Sequence, residues 1–289
     1  MKKLLIATAV ASAFAAPNVV FAQAAAAAPA SPHTFTANVG LVSDYRFRGI
    51  SQTFKQAAIQ GGFDYSHSSG LYAGTWASNV YGGSNTAGFG VNYFNGSAEI
   101  DLYGGYKWSY GDIGLDVGVL AYMYPGAKYN VATRDKYDNT ELYIGASYKW
   151  LTAKYSHAIT DYFGAKNNTL SAACGVNSNG VATLTCAATN PGGSRGSSYL
   201  DIGATFELGG GFNLVGHVGK ATVKNYGLLN YTDYKIGVTK DWAGVTWGAA
   251  YIDSNAKADV YRTVKAESGN NVVKDMSDGT LVLSVSKTF

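Results

Sequence analysis

Charged residues and proline are scarce in this 289-residue chain, and the scarcity excludes several classes of protein. Only 14% of the residues are charged and five are proline, whereas glycine (36) and tyrosine (22) are abundant, a composition that favours an all-β chain. Nineteen acidic residues nearly balance 22 basic ones, so a basic face for nucleic acid is not expected. No run of 18 apolar residues follows the N-terminal segment, which excludes a membrane-spanning helix there.

Residues 1–22 have the pattern of a secretory signal peptide. Two lysines precede a small, apolar run at 4–16, which is too short to span a bilayer as a helix, and cleavage is expected after Ala22. A membrane anchor is the alternative. Cleavage would leave 20 basic and 19 acidic residues. We expect a flexible N-terminal segment over 23–33 and a single domain over 34–289.

Alternation of apolar and polar residues with period two predicts twelve β-strands. In the first segment, 33–49, apolar residues hold odd positions from Phe35 to Phe47, and polar residues such as Asn38 hold even ones. This length suits a tilted membrane-spanning strand better than a strand of a soluble domain. The pattern recurs at 57–65, 70–79, 98–108, 113–123, 142–150, 151–159, 200–208, 212–221, 233–241, 245–253 and 280–289.

Short and long connections between these segments alternate along the chain. Tight turns at 66–69, 109–111, 209–211 and 242–244 alternate with polar stretches at 80–97, 124–139, 160–198, 222–232 and 254–279. Short periplasmic turns and long extracellular loops are typical of outer-membrane barrels. The predicted fold is therefore all-β, a closed antiparallel transmembrane β-barrel of twelve strands. A soluble β-sandwich is the alternative, and it would need shorter strands.

Aromatic residues near the segment ends predict two membrane-interface girdles. The inner girdle is expected at the short turns, formed by Trp108, Tyr110, Trp150 and Trp242. The outer girdle is expected at Tyr45, Phe47, Tyr124, Tyr162 and Phe163.

Four motifs stand out along the chain: SDYRFRGISQ at 43–52, GTWASNV at 74–80, EIDLYGGY at 99–106 and SKTF at 286–289. They resemble motifs of the TorF-type porin family of proteobacterial outer-membrane proteins. The resemblance covers nearly the whole chain after the signal peptide, and it implies an outer-membrane barrel and suggests a pore, without a substrate. The terminal Phe289 looks like the recognition signal for the barrel assembly machinery, although Lys287 departs from it.

Charged residues at inward-facing positions are the candidate pore lining. If odd residues of the first segment face lipid, the inward set is Asp44, Arg46, Arg48, Glu99, Asp101, Glu141 and Asp201. Bases on one wall and acids on another would set up a transverse field that orients a dipolar solute. The alternative is that these groups pair with one another and brace or plug the lumen, because a buried charge must be paired or wet.

An enzyme is not expected from the distribution of nucleophiles and histidines. Ser156 and His157 are adjacent on a predicted strand, so they point to opposite faces and cannot share a proton. The chain has no G-x-S-x-G elbow, and the glycine run at 209–211 lacks the lysine of a phosphate loop. No cofactor and no metal site are expected.

These observations favour a porin-like channel in the cell outer membrane, in contact with lipid, for passive diffusion of small hydrophilic solutes. A non-conducting structural barrel or an adhesin with binding loops is the alternative. Twelve strands lie between small filled barrels and wide wet ones, so the sequence leaves open whether the lumen is open or plugged.

The two cysteines, Cys174 and Cys186, are expected to form a disulfide, because an exported chain enters an oxidising compartment. Closing this short loop would restrain it by about 3 kcal/mol of chain entropy. Unfolded, unreduced protein should therefore not react with maleimide, and reduction should expose two reactive thiols. Labelling before reduction would contradict the disulfide. A Cys174→Ser/Cys186→Ser variant is the control for labelling at residues other than cysteine.

Overall fold

The computed structural model describes a closed β-barrel with structured loops at one end. The described residues are 31–81, 85–86, 96–127, 136–166, 173–176, 182–185, 192–267 and 270–289. The predicted signal peptide and most of the segment 23–33 lie outside these residues. Cys186 and the side chain of Cys174 also lie outside them, so the disulfide stays a prediction.

Twelve antiparallel strands form the barrel, which confirms the predicted fold class and strand number. Each strand pairs with the next along the chain, and the last pairs with the first, with Val39 opposite Lys287 and Leu41 opposite Val285. The strands are β1 (His33–Val42), β2 (Ala58–His67), β3 (Leu71–Asn79), β4 (Ala98–Tyr110), β5 (Ile113–Met123), β6 (Asn139–Tyr148), β7 (Leu151–Ala158), β8 (Ser198–Gly209), β9 (Phe212–Thr222), β10 (Tyr231–Trp242), β11 (Val245–Ser254) and β12 (Thr280–Thr288).

The first strand is shorter than the alternation predicts. It ends at Val42, and residues 43–57, the inserted loop, fold into the barrel instead of extending the strand. Within the loop, Arg46–Phe47 pairs with Ile50–Ser51 as a small hairpin. Its turn residues Arg48 and Gly49 have φ angles of 50° and 82°, the left-handed values that a two-residue hairpin turn requires. The turn therefore interrupts a sequence that otherwise alternates like a strand.

The long connections all lie at one end of the barrel, which we call the loop end. Short secondary-structure elements form part of these connections. They are the 3₁₀ turns Tyr162–Gly164 and Gly227–Leu229, the one-turn helix α1 (Ala258–Tyr261), and the hairpins Ala173–Val176 with Ala182–Thr185 and Arg262–Glu267 with Asn270–Asp275. In the part of the chain that is described, no helix is long and apolar enough to cross a membrane.

Large apolar side chains cover the outside of the barrel. Phe63, Ile144, Ile236 and Leu281 all lie on it, as the alternation predicts. The four aromatic residues predicted for the inner girdle are exposed at the short-turn end.

The aromatic residues predicted for the outer girdle are buried, so that prediction is wrong. Tyr45, Phe47, Tyr124, Tyr162 and Phe163 lie beyond the strand ends and fold inward. There the Phe47 ring packs against Tyr122 and Phe163, with centroids 5.3 and 5.7 Å away. The exposed aromatic residues near the loop end are instead members of strands: Tyr155, Tyr234 and Tyr251.

Placing a charged residue on the outer surface tests whether its exposed apolar side chains, the apolar belt, lie in hydrocarbon. Ile236 lies mid-strand and is 62% exposed. Ile236→Arg should lower the free energy of unfolding by about 2–4 kcal/mol in lipid vesicles, because the bilayer midplane excludes arginine. The control Leu208→Arg, at the short-turn end and 59% exposed, should cost about 0–1 kcal/mol. Similar losses in both variants, measured by denaturant titration, would argue against a belt in hydrocarbon.

Candidate functional site

The interior of the barrel has two zones along its axis. Toward the short turns, charged side chains are only partly buried, and Tyr72 donates a hydrogen bond to Asp116 Oδ1 at 2.6 Å. Asp64 and Lys107 also lie in this zone, whereas the partly buried Lys154, Asp201, His217 and Lys235 lie between it and the loop end. Toward the loops, the inserted loop fills the lumen and the side chains around it are buried. The candidate site is this filled zone.

Arg46 anchors the inserted loop on its own side of the barrel. Its fully buried guanidinium donates from Nε to Asp44 Oδ2 at 2.6 Å. Asp44 Oδ1 also accepts a hydrogen bond from Ser51 Oγ at 2.6 Å. The other guanidinium nitrogens donate to Gly49 O at 3.0 Å, Met276 O at 3.1 Å, Asp278 O at 2.9 Å and Thr280 Oγ1 at 2.6 Å. These acceptors belong to the loop itself, to the segment that precedes β12, and to Thr280 at the start of β12, which neighbours β1.

Arg48 reaches the opposite wall. Its Nη2 lies 2.6 Å from Glu141 Oε2 and its Nη1 lies 3.0 Å from Oε1, a bidentate pair with side chains 5% and 2% exposed. The guanidinium also donates to the Tyr162 hydroxyl at 3.1 Å and lies 4.2 Å from the Tyr199 ring centroid. Burial alone lowers the pKa of Arg48, but the Glu141 carboxylate outweighs it and raises the pKa above its ordinary value.

Glu99 and Asp101 are buried on the inward face of β4, beneath Tyr45 of the inserted loop. The Tyr45 hydroxyl donates to Glu99 Oε1 at 3.0 Å. Glu99 Oε2 and Asp101 Oδ1 are buried without a hydrogen-bond partner. Burial, then the charges of Glu99 and Asp101, raise the pKa of Tyr45, so its phenol remains protonated and can donate.

A paired cluster occupies the wall formed by β8, β9 and β10. The two ring nitrogens of His217 lie 3.3 Å from Asp201 Oδ1 and 2.8 Å from Asp233 Oδ1. Tyr199 donates to Asp233 Oδ2 at 2.9 Å. The turn of the inserted loop rests here, because a Cβ on Gly49 would come within 2.6 Å of the Asp233 Cβ.

The structure places all seven predicted charged residues inside the barrel. Asp44, Arg46 and Arg48 belong to the inserted loop rather than to a strand, and Arg48 pairs with Glu141 across the lumen. Sequence reasoning missed the partly buried Lys154, Lys235 and His217 and the buried Tyr199 and Asp233. The alternation of inward and outward positions along β7–β10 could have identified these five residues, because each lies on the inward face of its strand.

Ser156 and His157 lie on opposite faces of β7, as the alternation predicts. Ser156 is buried and His157 is exposed on the outer surface. They do not form a nucleophile–base pair.

Removing the arginine of the pair across the lumen tests its contribution. Arg48→Ala leaves the Glu141 carboxylate buried without its cation, and such losses cost about 3–5 kcal/mol. We expect this loss in the free energy of unfolding, measured by denaturant titration of refolded protein. The control is Lys55→Ala, also on the inserted loop, which removes a more exposed pair with Asp278 and should cost about 0–1 kcal/mol. Equal losses in the two variants would contradict a special role for Arg48.

Comparison with solved structures returns outer-membrane barrels of low sequence identity. The NanC porin is 11% identical over 88% of this chain and 99% of that chain, with a TM-score of 0.45. The KdgM porin, solved with disordered oligogalacturonate, is 6% identical over 89% and 99%, with a TM-score of 0.47. The toluene transporter TodX of Pseudomonas putida is 10% identical over 90% of each chain, with a TM-score of 0.41.

The comparison with curated proteins finds no match. A family profile matches residues 26–289, which include every strand of the barrel. The chain belongs to the family described as bacterial proteins of unknown function, Gcw_chp.

Proposed function

We propose that this chain is a porin-like channel of the outer membrane that passes small hydrophilic solutes by passive diffusion when the inserted loop leaves the lumen. The observation that carries the proposal is the combination of an apolar outer surface with a charged interior into which the inserted loop folds. Strands that face lipid outside and water inside are the pattern of barrels that conduct.

Charged side chains on the inward face of the strands support a wet lumen. Lys107, Lys154 and Lys235 project inward from three different strands and remain partly exposed. Moving an ammonium group into a dry interior costs several kcal/mol, so partly exposed lysines fit an interior that holds water. A hydrophilic solute entering from the short turns would meet these groups and the hydroxyl of Tyr72.

The inserted loop supports a gate rather than a permanent plug. Arg46 binds the base of the loop to the segment that precedes β12. The tip of the loop contacts the far wall through the salt bridge between Arg48 and Glu141. A loop that is anchored at one side and bound by a salt bridge at the other can swing without losing its anchor. The structure would then represent the closed form.

The alternative is a non-conducting structural or adhesin-type barrel, and the packed loop end favours it. The rings of Phe47, Tyr122, Tyr124 and Phe163 lie against one another around the tip of the inserted loop. Removing this apolar packing from the lumen would cost free energy in addition to the salt bridge. A barrel sealed in this way would serve as a structural element of the membrane or would present its long loops.

Location and partners complete the proposal. The outer membrane supplies the lipid for the apolar belt, and the last strand with Phe289 would engage the barrel assembly machinery. The short turns would face the periplasm. The SDYRFRGISQ motif, which resembles the TorF-type family, lies within the inserted loop.

Single-channel conductance tests the proposal. Refolded wild-type protein in planar bilayers should show rare, discrete openings. Arg48→Ala and Glu141→Gln should each increase the open fraction, because either change removes the charge pair that holds the loop tip. Arg46→Ala/Arg48→Ala should also change the ion selectivity of the openings.

Lys55→Ala is the matched control, since it changes the charge of the same loop without touching the lumen pair. No conductance steps from any variant, in protein shown to be folded and inserted, would favour the sealed structural or adhesive barrel.

A further inference from the structure

We propose that Glu99 and Asp101 form a binding site for a divalent metal cation inside the loop end of the barrel, with the hydroxyl of Tyr45 beside it. This inference does not depend on conduction, because a sealed barrel could hold the ion equally well.

The unsatisfied oxygens of the two carboxylates carry the proposal. Glu99 is 0% exposed and Asp101 is 2% exposed, and they lie two residues apart on the same face of β4. Glu99 Oε2 and Asp101 Oδ1 each lack a hydrogen-bond partner. A buried acceptor without a partner costs about 1–3 kcal/mol, and a cation bound between the two carboxyl groups would remove that cost at both oxygens.

The nearby basic and donor groups are already engaged. Arg48 is bound bidentately by Glu141, and the Lys154 ammonium lies over the Tyr143 ring, 5.3 Å from its centroid. Tyr45 and Tyr124 both hydrogen-bond with Glu99, with Tyr45 on Oε1, and Glu99 Oε2 still has no partner. Other buried acids of the interior differ in this respect: both oxygens of Asp233 have partners, His217 and Tyr199.

The chemistry of the donors favours a hard divalent ion. Carboxylate and hydroxyl oxygens suit calcium, magnesium and manganese rather than softer metals. Two carboxylates match a charge of two. Within the described residues, no group of three or more His, Cys, Asp and Glu is arranged for a metal, so neutral oxygens would complete the coordination.

An ion at this position would link the barrel wall to the inserted loop. Glu99 and Asp101 belong to β4, whereas Tyr45 belongs to the loop and stacks edge-on against Trp76 of β3, with centroids 5.4 Å apart. The ion would also allow both carboxyl groups to be ionised in a dry environment, where two like charges would otherwise repel. Its occupancy should therefore stabilise the loop in the lumen.

Terbium luminescence tests the site, because Tyr45 and Trp76 lie close enough to sensitise a bound ion. Folded wild-type protein in detergent, excited at its aromatic band, should show saturable terbium emission that calcium displaces. Glu99→Gln/Asp101→Asn should weaken terbium binding by about tenfold or more, because the affinity of such sites follows ligand charge. Asp233→Asn, which changes an equally buried but fully paired acid, should bind like wild type.

Absence of sensitised emission from wild type would overturn the proposal, as would equal emission from the double variant, which would place the terbium on other acids. The single variants Glu99→Gln and Asp101→Asn serve if the double variant does not fold, and each should weaken binding.

Thermal unfolding gives a second readout. Calcium should raise the melting temperature of wild type and of Asp233→Asn, and it should leave Glu99→Gln/Asp101→Asn unchanged. In the presence of a chelator the double variant should be at least as stable as wild type, because the amides remove buried charge. An equal calcium effect in all three proteins would contradict the site.

Discussion

The closure of the sheet on itself is the constraint on which the rest of this structure depends. In hydrocarbon each backbone N–H and C=O must be paired within the protein, and a barrel does this only if its first and last strands meet. Here β1 and β12 meet although they are separated by almost the whole chain, and Phe289 exchanges backbone hydrogen bonds with Ala37 at 2.8 and 3.2 Å. Once the circle is closed, alternation along each strand becomes a division between an apolar outside and a polar inside.

The polar inside creates a second problem, because charges that leave water must be paired. The two arginines of the inserted loop are paired in different ways. Arg46 finds five oxygen acceptors on its own side, so it depends little on the far wall. Arg48 depends on Glu141 across the lumen. A buried pair of this kind contributes little net stability when formed but costs much when one partner is removed.

Sequence patterns predicted the strands well and the loop end poorly. The alternation in β4, β6 and β8 placed Glu99, Asp101, Glu141 and Asp201 on the inward face, and the structure agrees. The alternation at 43–48 also resembles a strand, yet these residues form the inserted loop. Alternation with period two indicates which face of a strand a residue would occupy. It does not indicate where the strand ends.

The sequence by itself determined the closed barrel, its twelve strands, its alternating short and long connections and its apolar belt, because these follow from local periodicity and from the requirement that every strand have two neighbours. Only the tertiary structure decided that the aromatic residues of the loop end, such as Phe47 and Phe163, face inward, that Arg48 meets Glu141, and that Glu99 and Asp101 each keep an oxygen without a partner. These contacts join residues far apart in the chain, and their geometry depends on how the loop packs inside a barrel that must already be closed.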